Sequence, residues 1–269
     1  MNANDLIKFP RTPHIESSGL QKGDEDLDIM PFWKLRGKIL VVESKIDGAN
    51  TGISFSEDGD LRIQSRGHYL VGGDWPEFDQ FKTWSNTFQS ELFDILENRY
   101  IMYGEWMAAF HSVYYNNLPH FFMEFDIYDK KEKVFLDTAR RNELTGKCAV
   151  KIESVRVIQT NKFHSLEDLL ALVGKSTFIT DDAIDEIPVI AKTAGLSDDE
   201  IKLLIDLNKG GIMEGLYIKS EQDGIVKERY KYVRPGFVQT ILDYGKHWTD
   251  RPTIPNKLAN GRNLFEMRQ

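Results

Sequence analysis

The sequence predicts an α+β domain. Two observations predict it. Short runs of alternating apolar and polar residues are joined by tight turns, the clearest being Glu57-Asp58-Gly59-Asp60 and Glu221-Gln222-Asp223-Gly224. Stretches with helical period lie beside these runs and gather above all in one block, residues 160–207. The 269 residues suffice for one large domain or two small ones. No run approaches the ~18–20 apolar residues of a membrane span, and the N-terminal MNANDLIKFPRTPHIESS lacks the apolar stretch of a signal peptide.

In chain order, Lys8–His14 is held extended by its prolines and reads as an arm lying on the domain, although Arg11 and His14 could also touch a phosphate. Ser17–Asp28, rich in Gly, Ser and acid, reads as a loop. Lys38–Val42, Thr51–Ser56 and Leu61–Gln64 alternate as strands. Pro76–Glu97 places Phe78, Phe81, Trp84, Phe88, Leu92, Phe93 and Leu96 at spacings of mostly three and four, an amphipathic helix whose aromatic stripe faces a core. Arg99–Glu105 and Phe121–Tyr128 are buried strands, and Ala108–Pro119 between them reads as a surface loop. Val134–Leu136 continues as a strand, a basic helix starts at Asp137, and Val155–Ile158 is a further strand. Ser165 caps a short helix, and Asp181–Ala194 and Ser197–Leu207 are two more, the latter opening on a capping box. Gly210-Gly211 returns the chain to strands at Gly215–Lys219 and Ile225–Tyr232. Phe237–Tyr244 predicts a short helix, and the tail from His247 to Gln269 has no clear period.

One lysine stands apart. Lys45 ends an apolar strand within VVESKIDGAN and is followed at once by Asp47-Gly48. A charge there is normally solvated, so KxDG alone fits a strand-end lysine reaching water beside a hairpin turn. It equally fits a nucleophilic lysine with an aspartate two residues on. Four later segments follow in order: YGEW (Tyr103–Trp106), FFMEFDIYD (Phe121–Asp129), EGLYIK (Glu214–Lys219) and VKERYKYVR (Val226–Arg234). Together with the lysine motif this series resembles the covalent nucleotidyltransferases: ATP-dependent RNA ligases, DNA ligases and mRNA capping enzymes. The wording is most similar to the RNA ligases, including the phage enzyme that seals nicks in duplex RNA, and the resemblance covers about residues 8–250.

The resemblance implies an ATP-grasp-like nucleotidyltransferase domain, with two mainly antiparallel sheets and flanking helices enclosing a nucleotide cleft. That domain would span 1–250 with the helical insertion at about 160–207, leaving 251–269 as a short tail without the oligonucleotide-binding barrel of DNA ligases and capping enzymes. The same resemblance implies ATP as substrate, AMP carried covalently on Lys45, and Mg²⁺ or Mn²⁺ as cofactor. Glu105 would contact the ribose hydroxyls and Phe125 would stack on adenine, with Phe121 and Phe122 as competitors. Glu43 would lie against the adenine edge, mainly through its backbone groups, while Asn50 and Arg66 match positions that face the nucleotide or the RNA end. Glu214 would hold the metal largely through water, joined by Asp47. Lys231 matches the lysine of the family's basic strand, and Lys227 is a competing match.

The residues also carry this chemistry on physical grounds. A lysine nucleophile must be neutral, yet a free one titrates near pH 10.4. Lys227, Arg229 and Lys231 alternate and so share one strand face. If that face met Lys45, the three cations and a bound Mg²⁺ would lower its pKa and neutralise charge on the α-phosphate. A glutamate ending the hydrophobic run IMYGE is costly unless it is paired or metal-bound.

Net charge is −8, which argues against a chain basic all over that coats nucleic acid but allows a local basic groove. The single cysteine, Cys148, rules out an intrachain disulfide and suits a reducing cytoplasm. The six histidines show no HxH or HExxH spacing, which leaves a metal hydrolase poorly supported. The leading expectation is an ATP-dependent RNA ligase joining 3′-hydroxyl and 5′-phosphate RNA ends. Its expected partners are RNA ends and an end-healing kinase and phosphatase, with no membrane, and it would act as a monomer. A DNA ligase, a GTP-using capping-type enzyme and a non-catalytic nucleotide- or RNA-binding module remain as alternatives.

Overall fold

A computed structural model describes residues 6–20, 23, 24, 26–73, 76–238 and 252–268. In chain order the strands and helices are β1 (His14–Ile15), β2 (Ile29–Met30), β3 (Ile39–Lys45), β4 (Ala49–Phe55), β5 (Leu61–Ser65), α1 (Asp79–Thr87), α2 (Gln89–Leu96), β6 (Tyr100–Trp106), β7 (Phe122–Asp129), β8 (Val134–Phe135), α3 (Thr138–Gly146), β9 (Glu153–Ser154), β10 (Val157–Lys162), α4 (Leu166–Leu170), α5 (Ala183–Thr193), α6 (Asp198–Asn208), β11 (Gly215–Gln222) and β12 (Ile225–Val233).

They build two sheets. The first runs β10-β3-β11-β12-β1-β2, and the second runs β5-β4-β6-β7-β8 with β9 beside β7. Pairing is antiparallel throughout the central strands, with parallel additions only at β1 and β9. This is the α+β architecture of two mainly antiparallel sheets with flanking helices.

Strand alternation sorts the side chains into three layers. On the outer face of the first sheet, Leu40, Val42, Leu216, Ile218, Tyr230 and Tyr232 pack against Phe32, Leu35 and Leu169. On the outer face of the second, Ile53, Phe55, Met102 and Ile127 pack beneath Phe81, Trp84 and Leu92 of α1 and α2. Between the sheets, Ile101, Tyr103 and Phe125 meet Tyr217, and α5 and α6 add Ile187, Ile201 and Leu204 to that layer. The polar residues of the inner faces are therefore aimed into the space between the sheets.

Four local expectations change. The single helix over Pro76–Glu97 is two, broken at Phe88 with φ −108° and ψ 25°. Thr83, Asn86 and Thr87 bond back to the carbonyls of Asp79, Lys82 and Thr83, a pattern that competes with helix bonding and bends the chain. The expected surface loop at Ala108–Pro119 is largely buried, because side chains satisfy its backbone: Ser112 and Val113 N–H donate to Asp47 Oδ2, Tyr114 N–H to Asn208 Oδ1 and Tyr115 N–H to Asn256 Oδ1. The helical block starts after residue 162, since Val157–Lys162 is the strand that pairs with β3 at the sheet edge. In the tail, Asn256 Nδ2 donates to the carbonyls of Met107 and Ala109, and Leu264 is buried, so its described part is docked on the second sheet. Of the helix expected over Phe237–Tyr244, only Phe237 and Val238 lie within the described residues. No helix among the described residues is long and apolar enough to cross a membrane.

Candidate active site

Lys45 stands at the last position of β3, where its backbone pairs with Gly215 of β11. Its side chain points between the sheets, and its Nζ lies 2.6 Å from Glu214 Oε2. The two glycines beside these residues have a steric cause. A Cβ on Gly48 would sit 2.6 Å from Met107 Sδ and 2.7 Å from the Trp106 carbonyl. A Cβ on Gly215 would sit 1.8 Å from the Tyr232 carbonyl, so only glycine lets β11 and β12 close at this point. The KxDG and EG motifs are thus the packing conditions that bring Lys45 and Glu214 into contact.

Glu105, on β6, is coupled to the same pair. Burial, together with Glu214 and Asp47, pushes its carboxyl up to about 7 while Lys45 pulls the other way. For Lys45, burial works to lower the ammonium, but Glu214 and Glu105 outweigh it and hold it above its ordinary value. The expectation that neighbouring cations depress Lys45 is therefore corrected for the nucleotide-free protein: three carboxylates surround it, and their charge dominates.

The basic strand separates its three cations. Lys231 points toward the Lys45 cluster, and its Nζ contacts Asp24 Oδ2 at 2.5 Å. Arg229 lies deeper between the sheets, 3.7 Å from Asp126 and 3.7 Å from the centre of the Phe135 ring. Lys227 is exposed near the hairpin turn, 3.8 Å from Asp223, and at ~3.3 Å per residue it lies roughly 20 Å along the strand from Val233. Of the two competing lysines, only Lys231 reaches the cluster.

The side chains of Glu43 and Phe125 are both engaged within the protein. The Glu43 carboxylate is fully buried and contacts Arg141 Nη1 at 3.1 Å and Lys219 Nζ at 2.9 Å. Phe125 packs edge-on against Phe9 of the N-terminal arm at 5.0 Å and near Tyr217 at 6.4 Å. Asn50 pairs through its backbone with Glu105, and Ser65 pairs with Thr51, so the exposed Arg66 that follows it flanks the same rim of the second sheet. Asp47 is engaged by the backbone of Ser112 and Val113 at 2.7 and 2.9 Å, which fixes the loop over the cluster.

Sequence reasoning passed over several residues at the site. Lys219 is wholly buried and donates to the Phe125 carbonyl at 2.6 Å; its alternation with Tyr217 along EGLYIK was the available signal. Arg141 contacts Glu43 and Glu124 from α3, and nothing in the helix pattern marks it. Arg234 donates to the Met213 carbonyl at 3.0 Å beside Glu214. The sequence marks His14 only as part of an extended arm that could touch a phosphate, and Asp24 only as part of an acidic loop.

The fold has relatives among solved structures. Three structures of variants of the RNA ligase from Naegleria gruberi match it: one with ATP and Mn (18% identity, 79% of this chain and 54% of that one, TM-score 0.51), one with AMP and Mn (18%, 77% and 53%, 0.51) and one in the apo form (17%, 88% and 60%, 0.52). At this identity the likeness concerns the fold, and the present chain spans a little over half of the length of those it matches. No curated protein matches the chain. In this fold two sheets close on a strand-end lysine among carboxylates. The RNA ligase family model matches residues 38–233, and the chain belongs to that family.

Proposed function

We propose that the protein is an ATP-dependent RNA ligase that joins 3′-hydroxyl and 5′-phosphate RNA ends through a lysyl-AMP intermediate. The observation that carries this reading is the contact of Lys45 with Glu214 at 2.6 Å, beside Glu105 and Lys231, inside the family match. In the first step Lys45 Nζ attacks the α-phosphorus of ATP. A P–N bond forms, the α–β phosphoanhydride bond breaks, and pyrophosphate leaves. Lys45 must first lose a proton, and Glu214 Oε2 is the acceptor in contact with it. In the second step the RNA 5′-phosphate displaces Lys45 from the AMP. In the third the 3′-hydroxyl attacks that activated phosphate and AMP leaves.

Lys231 would neutralise charge on the α-phosphate, and Arg66 and Asn50, on the rim of the second sheet, would meet the nucleotide or the RNA end. Glu105 would bind the ribose hydroxyls, and Phe125 with Tyr217 would form the aromatic wall beside adenine. The donor set fits a divalent cation: Glu214, Glu105 and Asp47 bring three carboxylates against Lys45, a surplus of negative charge. Glu214 and Asp47 would hold Mg²⁺ or Mn²⁺ together with several waters. The metal would offset the carboxylate charge that keeps Lys45 protonated. Broken RNA whose ends lack these groups would first need healing by kinase and phosphatase activity, and the reading includes a monomer working in a reducing cytoplasm.

The test is direct. With Mg²⁺ and ATP labelled at the α-phosphate, the wild-type chain should carry label after denaturation and Lys45→Ala should carry none. Label from GTP but not ATP would redirect the reading to capping chemistry. An unlabelled, folded wild type whose intact mass shows no AMP already attached would refute it.

A further inference from the structure

The N-terminal arm reaches the site through a chain of hydrogen bonds. β1 lies parallel to β12, with His14 opposite Lys231. His14 is fully buried, and its Nδ1 is 2.6 Å from Ser18 Oγ while its Nε2 is 3.0 Å from Asp24 Oδ2. The same carboxylate oxygen accepts from Lys231 Nζ at 2.5 Å. The proton positions follow from the partners. Val233 N–H donates to Ser18 Oγ at 2.9 Å, so the hydroxyl's own proton is available to His14 Nδ1. An ionised carboxylate only accepts, so Nε2 carries the imidazole proton and donates it to Asp24. The relay therefore reads Val233, Ser18, His14, Asp24, Lys231, each step with a matched donor and acceptor. Burial lowers the His14 ring below its ordinary value, which agrees with a neutral imidazole.

We infer that Asp24, oriented by His14 and Ser18, is the positioning residue for Lys231; the inference rests on the ligase reading above. Two ammonium groups, Lys45 and Lys231, lie near enough for their charges to repel each other. Glu214 balances the first and Asp24 the second. A lysine on its four-carbon stem has many rotamers, and a fixed carboxylate selects one of them. An ammonium has three N–H donors, so the contact with Asp24 leaves others for the α-phosphate. Asp24 acts through Lys231 and touches no reacting atom.

The experiment is a double-mutant cycle on the single-turnover rate of enzyme–AMP formation at saturating labelled ATP and Mg²⁺. Wild type, Asp24→Asn, Lys231→Met and the double variant are followed for hours, so that large losses stay readable. A misplaced ammonium predicts a loss of about ten- to hundredfold for Asp24→Asn, and a change under about twofold for the same substitution in the Lys231→Met background. Ser18→Ala, which cuts the relay at its far end, should give a smaller loss that also vanishes without Lys231; it carries the test if Asp24→Asn does not fold, as judged by thermal melting. Equal losses in both backgrounds would overturn the inference by showing that Asp24 only supports the fold. So would an unchanged or faster Asp24→Asn, which would make Asp24 a placeholder that phosphate displaces. An unlabelled wild type would instead remove the ligase reading, so the two failures are distinguishable.

Discussion

Lys45 meets two opposed demands. The neighbouring carboxylates that place it also keep it charged, and the attack on phosphorus proposed above needs it neutral. Glu105 is the group through which this balance is measurable. Its folded pKa of about 7 lies above the ordinary glutamate value because burial and neighbouring acids favour the protonated form. The sign follows: the folded state binds an extra proton between those two values, so this contribution to stability is full below the unfolded pKa and is lost as pH rises through about 7. Glu105→Gln imitates the protonated group at every pH. In buffers containing EDTA, melting temperatures of wild type and Glu105→Gln should coincide near pH 5, and the variant should melt higher at pH 8. Parallel curves would show that Glu105 is ionised throughout.

At the level of elements, one buried network joins both sheets. Glu43 on β3 and Lys219 on β11 belong to the first sheet, Glu124 and Asp126 on β7 to the second, and Arg141 on α3 sits among them. All five are almost completely buried. Such a network adds little net stability when complete, because desolvation opposes the attraction, but removing one partner strands the others. Arg141→Met leaves Glu43 and Glu124 short of a cation, and should destabilise the protein by about 3–5 kcal/mol. Urea unfolding would measure this, and a loss below about 1 kcal/mol, the range of an exposed pair, would mean that water reaches the network. Because β3 ends at Lys45 and β11 begins after Glu214, the network also sets the strand register that brings those two residues together.

Across the whole molecule, distant parts of the chain converge on residues 108–119. Asp47 comes from the lysine motif, Asn208 from the end of α6 and Asn256 from the tail, and each supplies an acceptor to a backbone N–H of this segment. A loop without regular structure is normally exposed and quick to exchange. Here the amides of Ser112, Val113, Tyr114 and Tyr115 should exchange as slowly as core strands, as read by hydrogen–deuterium exchange of a peptide covering the segment. Asn256→Ala would leave the carbonyls of Met107 and Ala109 and the Tyr115 amide unsatisfied. It should speed exchange across the whole segment and cost about 1–3 kcal/mol. Unchanged exchange would show that the tail does not hold the loop.

The sequence by itself determined the strand and turn pattern, the order of the five motifs and the choice of Lys45, Glu105 and Glu214 as candidates, which the fold brings together. Local signals suffice there: alternation fixes which face a strand residue takes, and a glycine at a close approach marks where two backbones meet. Only the tertiary structure decided the rest. It separated Lys231 from Lys227, which carry the same charge on the same face and differ only in distance along the strand from the lysine. It showed the ion network that holds the Glu43 carboxylate, whose partners Arg141 and Lys219 are remote in sequence. It turned an acidic loop into the anchor of Lys231, since Asp24 resembles any solvated aspartate until β1 pairs with β12. Contacts made between elements leave no periodic trace in either one, and for that reason a single sequence carries the elements but not which of their charges meet.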